Sequence, residues 1–266
     1  MVRSPADAVC SGSVPEVARK THGPACTYEP MHALVKEKRE VAKETLLVIF
    51  DLRGQEVAYR PGQYFWVTLI DPPYEDEKGP RRHISAVTSP TDRGVLGLCT
   101  RLRGSAFKRS LAELPIGAEV EVEEPKGAFV LPDETDVPYV FIAGGIGITV
   151  FRSMLRYIAA ERLPYRVTLI YSNRDRSSAA FLDELCDLER QDGWLRVVPT
   201  MTQDTSWEGE TRRIGPDLLR DHLGDDLGAY RYLLAGPPGM VEAVTEQLRE
   251  ARIPDDRVHP ERFSGY

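Results

Sequence analysis

The sequence has few cysteines, and they are widely separated. The four are Cys10, Cys26, Cys99 and Cys186, and none has the paired spacing by which cysteines hold zinc or an iron–sulfur cluster. We therefore expect isolated, reduced thiols and no metal centre. The sequence also has no apolar run long enough to cross a bilayer, and residues 1–27 lack the apolar core of a secretory signal. These absences predict a protein without a membrane partner, located by default in the cytoplasm.

Charge of one sign does not dominate, and the sequence has no internal repeat or low-complexity tract. The formal net charge is −7, with 34 Lys and Arg against 41 Asp and Glu, which is unlike a nucleic-acid-binding protein. Hydrophobic residues make up 42% and charged residues 28% of the chain, as in ordinary globular proteins. A chain of 266 residues is long enough for two domains, each with its own core.

The first half of the sequence predicts an extension followed by a β domain. Residues 1–27 mix Ser, Pro, Gly and charged residues without apolar periodicity, which indicates a flexible extension. Short β-type runs punctuated by Gly and Pro predict a small antiparallel barrel; they cover residues 31–52, 61–70, 83–89, 94–102 and 118–125. One helix interrupts them, with Ser105 as its N-cap and Pro115 after its last residue, Leu114.

The second half alternates strand and helix patterns, which predicts a parallel sheet wrapped by helices. The apolar runs 137–145, 165–173, 195–201 and 230–238 read as strands, and the segments 151–163, 179–191 and 239–252 read as helices. A linker rich in Pro and acidic residues, 131–138, separates the two patterns. We therefore predict domains at 28–134 and 135–266.

Two glycine turns follow predicted strands of this sheet. Gly144, Gly145 and Gly147, with Thr149, stand before a helix, where free N–H groups can meet a pyrophosphate. The spacing differs from the Rossmann Gly-x-Gly-x-x-Gly, and such a turn can also serve only close packing. The second turn, 235–240, would lie at the same carboxyl edge and complete a crevice. Its two prolines withhold backbone donors, so it predicts a pocket wall or simply a rigid turn.

The barrel carries its own candidate motif, Arg82-His83-Ile84-Ser85. An arginine suits a bidentate grip on a diphosphate, Ser85 could donate a hydrogen bond to a ring nitrogen, and Ser105 at a helix start could add an anion site. An exposed strand arginine with a satisfied serine explains the same residues, so the motif by itself leaves the alternatives open.

The order of these motifs resembles the ferredoxin–NADP reductase family. Arg-x-x-Ser, Gly-Ser before a helix, Gly-Gly-x-Gly-x-Thr, Gly-Pro-Pro and a terminal aromatic residue follow one another between about Tyr28 and Tyr266. The resemblance implies an antiparallel six-stranded FAD-binding barrel followed by a parallel-sheet, Rossmann-like NAD(P)-binding domain. It also implies a flavoprotein oxidoreductase that takes hydride from NAD(P)H onto FAD and passes electrons to a separate acceptor.

The resemblance implies a role for individual residues. Ser85 would lie near the flavin N5, Glu261 would be an acid close to the nicotinamide, and Tyr266 would stack on the flavin ring. The other FAD contacts implied are Arg82, His83, Ile84, Leu98, Cys99, Thr100, Gly104, Ser105 and Ala106. The NAD(P) contacts implied are Gly144, Gly145, Gly147, Thr149, Ser172, Arg174, Gly236, Pro237 and Met240.

Three positions depart from the family pattern. Ile84 stands where an aromatic residue commonly covers the flavin, and Ala235 stands where a cysteine often precedes the Gly-Pro turn. These two departures concern the rate of hydride transfer. Val150 replaces a proline that usually follows the threonine, which concerns only the start of a helix.

The choice between NADH and NADPH depends on residues 171–176. Ser172, Arg174 and Arg176 suit a 2′-phosphate, whereas Asp175 could bind the ribose diol of NADH if its side chain points inward. The arginines also fit a solvated loop. On balance this composition favours NADPH.

The electron acceptor remains open, because a fold and a donor site do not specify it. Candidates are ferredoxin or flavodoxin, a quinone, ferric chelates, free flavin and oxygen. A docking patch for an acidic carrier is one interpretation of a basic group that FAD phosphates and solvation also explain: Arg81, Arg82, Arg101, Arg103, Lys108 and Arg109. The alternatives are an electron-transfer or regulatory subunit that turns over only in a larger complex, and a cofactor-free interaction module.

Overall fold

The computed structural model describes residues 29–263. The predicted extension, 1–27, and Tyr266 lie outside the described residues. Six antiparallel strands form the first sheet, in the order β4-β3-β6-β1-β2-β5. They are β1 (Met31–Ala42), β2 (Thr45–Asp51), β3 (Tyr64–Leu69), β4 (Arg81–Ser85), β5 (Val95–Arg101) and β6 (Glu119–Val122).

The two edge strands of this sheet meet just beyond the end of β4. Ala86 bridges to Leu98, and the Val87 N–H donates to the Gly97 carbonyl at 2.9 Å. The sheet therefore closes on itself as the predicted barrel. The run 83–89, predicted as one strand, is different: regular pairing with β3 ends at Ser85, because the chain then turns to meet β5.

Side-chain alternation explains the barrel core. On β3, Phe65, Val67 and Leu69 are buried while the residues between them are partly exposed, as expected for a strand with one face in the core. Helix α1 (Ala106–Glu113) covers part of the barrel, and its Phe107 and Leu111 are buried. Ser105 caps it by accepting the Lys108 N–H at 3.3 Å, which confirms the predicted helix start.

The second sheet has five parallel strands in the order β11-β10-β7-β8-β9. The predicted alternation is confirmed, but the sequence patterns missed α4 and β11. The elements are β7 (Tyr139–Gly144), α2 (Ile148–Glu161), β8 (Val167–Asn173), α3 (Leu182–Asp192), β9 (Leu195–Met201), α4 (Pro216–Leu223), β10 (Arg231–Gly236), α5 (Pro238–Glu250) and β11 (Val258–Arg262). The predicted linker, 131–138, falls between β6 and β7.

Helices cover both faces of the parallel sheet. Tyr139 and Phe141 of β7 pack with α2 and α3, whereas Val140 and Ile142 pack with α4 and α5. The α2 side shares its apolar core with barrel residues that include Val87 and Cys99. The barrel therefore packs against α2 and brings β5 beside the first glycine turn. Within residues 29–263, no helix has both the length and the apolar character that a bilayer crossing requires.

Candidate functional site

A cleft of about 640 Å³ lies where β5 of the barrel meets the carboxyl edge of the parallel sheet. The barrel contributes Arg101 and Arg103. The parallel-sheet side contributes six residues predicted to bind NAD(P): Gly144, Gly145, Ser172, Arg174, Pro237 and Met240. Ile146, Asn173, Thr202, Pro238 and Phe263 complete the wall. The two glycine turns thus meet in one crevice.

Glycine is required where these turns touch. A Cβ on Gly144 would lie 2.4 Å from the Met240 sulfur, and a Cβ on Gly236 would lie 3.1 Å from the Gly144 Cα. Real Cβ atoms do not come as close as the first distance. The Met240 thioether therefore packs over both glycines and closes the base of the cleft.

Gly147 and Thr149 lie behind the cleft wall. A Cβ on Gly147 would lie 2.1 Å from the Ala235 carbonyl oxygen, so this glycine permits close packing of the turn on β10. Thr149 is 3% exposed, and its hydroxyl donates to the Ile146 carbonyl at 3.0 Å. Both residues hold the shape of the turn, and neither is among the residues that line the cleft.

Gly145 has a left-handed backbone, with φ of 52°, and lies against an arginine of the barrel. A Cβ on Gly145 would lie 3.2 Å from Nη2 of Arg101, and the same nitrogen donates to the Ser178 carbonyl at 3.4 Å. Arg101 and Arg103 were considered only as part of a basic surface in the sequence. Both closely follow Thr100, a residue predicted to contact FAD, and this position in the sequence was the signal for a role in the cleft.

Hydrogen-bond donors converge on the Asp76 carboxylate beside the start of α1. The Asp76 carboxylate accepts the Ala106 N–H at 3.1 Å, the Lys78 N–H at 2.9 Å and the Arg82 guanidinium at 3.1 Å. Partial desolvation opposes ionisation of Asp76, but these donors hold its pKa below the usual range. The carboxylate thus stands where an anionic ligand would find a helix start and an arginine.

Further positive charge lies beside this position. Desolvation lowers the pKa of Lys108, and the nearby charges of Arg103 and Arg82 lower it further. A cluster of cations around a helix N-terminus is a suitable donor set for a diphosphate. Gly104 and the N-cap Ser105 precede this helix, and Ala106 is its first residue. The residues present therefore fit the diphosphate of FAD.

The Arg82 guanidinium also donates to main-chain carbonyls of the loop 71–80 and of β4. Its Nη1 donates to the carbonyls of Lys78 at 2.9 Å, Gly79 at 2.8 Å and Arg81 at 2.8 Å. His83 faces the other way, exposed, with its ring 5.1 Å from Tyr64 and 5.0 Å from Trp66. The alternation of a strand directs these two neighbouring side chains to opposite faces of β4, and a contact of His83 with FAD stays a prediction.

The other barrel residues predicted to contact FAD lie on β4 and β5 and do not line the cleft. We call them the candidate flavin wall: Ile84, Ser85, Leu98, Cys99 and Thr100. Ile84 is partly buried against the barrel core, and Ser85 ends β4. Cys99 is 4% exposed, and burial raises its thiol pKa to about 12, so this thiol is not reactive. The Gly97 carbonyl accepts the Val87 N–H, so the main chain of Gly97 faces the segment after β4. The main chain of Cys99, two residues along the strand, faces the same side because the hydrogen-bonding direction alternates. By the same alternation, the main chain of Leu98 and Thr100 faces β2, with which both lie in register.

Only some of the residues considered for the choice between NADH and NADPH face the cleft. Arg174 is exposed and lines the cleft with Ser172. Asp175 turns back on its own loop, where it accepts the Ser177 hydroxyl at 2.6 Å and the Ser178 N–H at 2.9 Å. Arg176 pairs with Asp183 on α3. Asp175 is therefore used as a cap and does not line the cleft, whereas Asn173, which was not predicted, does.

The chain reaches the cleft again through β11. Glu261 lies opposite Ala235 of β10, and burial raises the pKa of its carboxyl. Phe263 lines the cleft, and its N–H donates to the Gly236 carbonyl at 3.0 Å. Phe263 was not predicted as a site residue, although its position in the terminal aromatic segment was a signal. Residues 264–266 lie outside the described part of the chain.

The basic group considered as a docking patch is largely engaged within the chain. Arg81 lies 2.6 Å from Glu123, Arg103 lies 3.6 Å from Glu44, and Arg109 stacks at 3.8 Å on the Tyr74 ring. Arg82 pairs with Asp76, so carboxylates offset three of the six positive charges of this group. Docking of an acidic carrier here stays a prediction.

Comparison with known proteins identifies relatives over nearly the whole chain. A model described as an oxidoreductase NAD-binding domain matches residues 141–246. The chain is 30% identical to the reductase subunit of an aromatic O-demethylase from Amycolatopsis sp., across 95% of this chain and 73% of that protein. It is 28% identical to ferredoxin–NADP reductase B from Sorangium cellulosum, across 79% of this chain and 87% of that protein.

A solved structure has the same fold. The crystal structure of an Amycolatopsis cytochrome P450 reductase matches with a TM-score of 0.73 and 27% identity, covering 87% of this chain and 68% of that one. The chain spans 53% to 68% of the length of the monooxygenase reductase components that it matches.

Proposed function

Because this chain belongs to the ferredoxin–NADP reductase-like family of FAD- and NAD(P)H-dependent oxidoreductases, we propose that it reduces bound FAD with NADPH and passes electrons to a separate protein of an oxygenase system. FAD supplies the chemistry, by accepting a hydride and releasing electrons. The residues of the chain supply binding, orientation and exclusion of water. We also propose that the protein is located in the cytoplasm.

The single observation that carries the proposal is the cleft itself. It joins Arg101 and Arg103, at the end of a barrel strand, to both glycine turns, so one crevice is bordered by the barrel and by the candidate nucleotide turns. Hydride transfer requires the reacting atoms to be held about 3–3.5 Å apart. A crevice shared by two differently built sheets suits that requirement.

On the barrel side, Arg82 and the start of α1 would hold the FAD diphosphate. The Asp76 carboxylate already bonds to the same donors, which supports the assignment. The main chain of Leu98 to Thr100 would border the flavin ring, and Ser85 would donate a hydrogen bond near N5. Ile84 would give an aliphatic rather than an aromatic contact.

On the other side, Gly144, Gly145 and Arg101 would bind the nucleotide pyrophosphate, with Gly147 and Thr149 shaping the turn. Ser172 and Arg174 would bind the 2′-phosphate of NADPH, because Arg174 is exposed in the cleft while Asp175 caps its own loop. Gly236, Pro237 and Met240 would border the nicotinamide. Glu261 would lie near it, and Tyr266 would stack on the flavin.

The acceptor we propose is a protein component of an oxygenase system. Relatives with this role in their names, reductase components of propane and phenol monooxygenases, support it. The alternative is a subunit that binds both nucleotides but turns over only within a larger complex. Carboxylates of the chain already pair with three of the six cations of the basic group, so electrostatic docking of an acidic carrier there is not part of this proposal.

Spectroscopy and steady-state kinetics on the purified chain test the proposal. We expect visible flavin absorbance, bleaching of that absorbance by NADPH, and brisk reduction of ferricyanide. Bound FAD without reduction would favour the subunit alternative, and a protein that takes up no flavin would contradict the proposal altogether. Titration with NADH in parallel tests the nucleotide assignment.

A further inference from the structure

Helix α2 connects the first glycine turn, which lines the cleft, to the segment that follows β4 beside the candidate flavin wall. It begins directly after the first glycine turn and carries Arg152 and Ser153 on the side that faces the barrel. The Arg152 guanidinium donates from Nη1 to the Val87 carbonyl at 2.7 Å. The Ser153 hydroxyl donates to the Thr88 carbonyl at 2.6 Å. Both bonds are buried, so they cross between the two domains without competition from water.

The barrel end of these bonds is fixed to the candidate flavin wall. Val87 lies two residues after Ser85, and its N–H donates to the Gly97 carbonyl. The Thr88 hydroxyl accepts the Gly97 N–H at 3.0 Å. A displacement of Val87 and Thr88 would therefore move the end of β4 and the middle of β5 together.

The helical end is equally constrained. Arg152 is 7% exposed, and Glu184 of α3 meets its guanidinium at 3.0 and 2.8 Å. The ring of Phe181 lies 4.6 Å below it. A second arginine, Arg156, continues the contact by pairing with Glu184 at 3.1 Å and with Asp92 of the barrel at 2.8 Å.

We propose that Arg152 and Ser153 are positioning residues that set the distance between the nicotinamide and the flavin. The inference rests on the proposed function. Arg152 lies only three residues after Thr149, so the route from the glycine turn through α2 to the flavin wall is short and rigid. A buried arginine with a carboxylate partner is geometrically more exacting than an apolar contact, which suits a role in alignment.

Loss of a positioning residue should change the rate of hydride transfer and leave cofactor binding nearly unchanged. Neither residue lines the cleft or is among the candidate FAD contacts, so loss of either should leave FAD and NADP⁺ binding within about twofold of the intact chain. The rate of hydride transfer should fall by about 10- to 100-fold. A distant mutation that misplaces the reacting atoms by about 1 Å has an effect of that order. The long-wavelength absorbance produced when nicotinamide stacks on flavin should weaken in parallel.

The experiment uses the flavin-loaded full chain with Arg152→Met, Arg152→Lys and Ser153→Ala. The matched control is Arg162→Met, since Arg162 lies just beyond α2 with an exposed side chain. Dissociation constants for FAD and NADP⁺, the rate of flavin reduction in single turnovers and the stacking absorbance are measured for each. We expect Arg152→Lys to recover part of the rate, and the control to match the intact chain.

Two results would overturn the inference. One is unchanged reduction and stacking absorbance in folded Arg152→Met and Ser153→Ala; the other is a rate loss explained entirely by weaker FAD or NADP⁺ binding. If Arg152→Met does not fold, Ser153→Ala decides the matter, because it removes one hydroxyl only. Failure of the intact chain to bind flavin or to be reduced would contradict the proposed function instead.

Discussion

The carboxylate of Asp76 and the guanidinium of Arg82 lie 3.1 Å apart beside the first turn of α1. An acidic side chain of the chain itself therefore holds the donors that we assign to the FAD diphosphate. Binding of FAD must displace this carboxylate or share its donors at the expense of like-charge repulsion.

We predict that Asp76→Asn tightens FAD binding by about 2- to 5-fold, since an exposed charge interaction of this kind contributes only weakly. The dissociation constant of FAD for the flavin-free protein, followed by fluorescence, measures the effect. Glu77→Gln is the matched control, because it removes one negative charge from the same loop. Weaker binding in Asp76→Asn would mean that the carboxylate supports Arg82 rather than competing with FAD.

Arg82→Ala should weaken FAD binding by about 10- to 100-fold, because a hydrogen bond to a charged group is worth about 1.5–3 kcal/mol. Arg82→Lys should retain part of the affinity but not the bidentate geometry. Arg81→Ala serves as control, since Arg81 pairs with Glu123. Purification of Arg82→Ala with full flavin content would refute the assignment.

Gly145→Val should block reduction by NAD(P)H while FAD stays bound. A β-branched residue is strained at a φ of 52°, and its Cβ would lie 3.2 Å from Nη2 of Arg101. Stopped-flow reduction and flavin content measure the two effects separately. Gly239→Val is the control, because an added Cβ there meets no atom within 4 Å. Equal reduction rates in both variants would argue against the turn as a pyrophosphate site.

Arg174→Ala should lower the preference for NADPH over NADH by about 10- to 100-fold, through loss of a charge-assisted contact to the 2′-phosphate. The ratio of kcat/KM for the two nucleotides is the measurement. Arg176→Ala should leave this ratio unchanged, because Arg176 pairs with Asp183 on α3. An intact chain that prefers NADH would contradict the assignment directly.

Deletion of Tyr266 should tighten nicotinamide binding. If the ring stacks on the flavin, nicotinamide must displace an aromatic contact worth roughly 0.5–1.5 kcal/mol, and removal of the ring abolishes that competition. Tighter binding can slow product release, so kcat can fall as affinity rises. Dissociation constants for NADP⁺ and NAD⁺ test this, and values equal to those of the intact chain would leave Tyr266 without a role.

Local patterns predicted the elements whose stability depends on nearby residues. The hydroxyl of Ser105 caps α1 three residues along the chain, and the apolar run of β7 is buried on both faces. Weaker patterns failed. The strand Val258–Arg262 contains Pro260 and mixes polar with apolar residues, so only its pairing with β10 makes it a strand. Helix α4 has 8 residues, too few for propensity alone to stabilise.

The sequence by itself determined that two domain patterns follow one another and that glycine turns stand at one sheet edge, because both depend on periodicity and short-range chemistry. Only the tertiary structure decided what those residues meet. It placed Arg101 of the barrel against Gly145, brought the Asp76 carboxylate to the Ala106 N–H at the start of α1, and joined Arg152 of α2 to the Val87 carbonyl. Such contacts depend on how separate elements pack, which residue spacing along the chain does not encode.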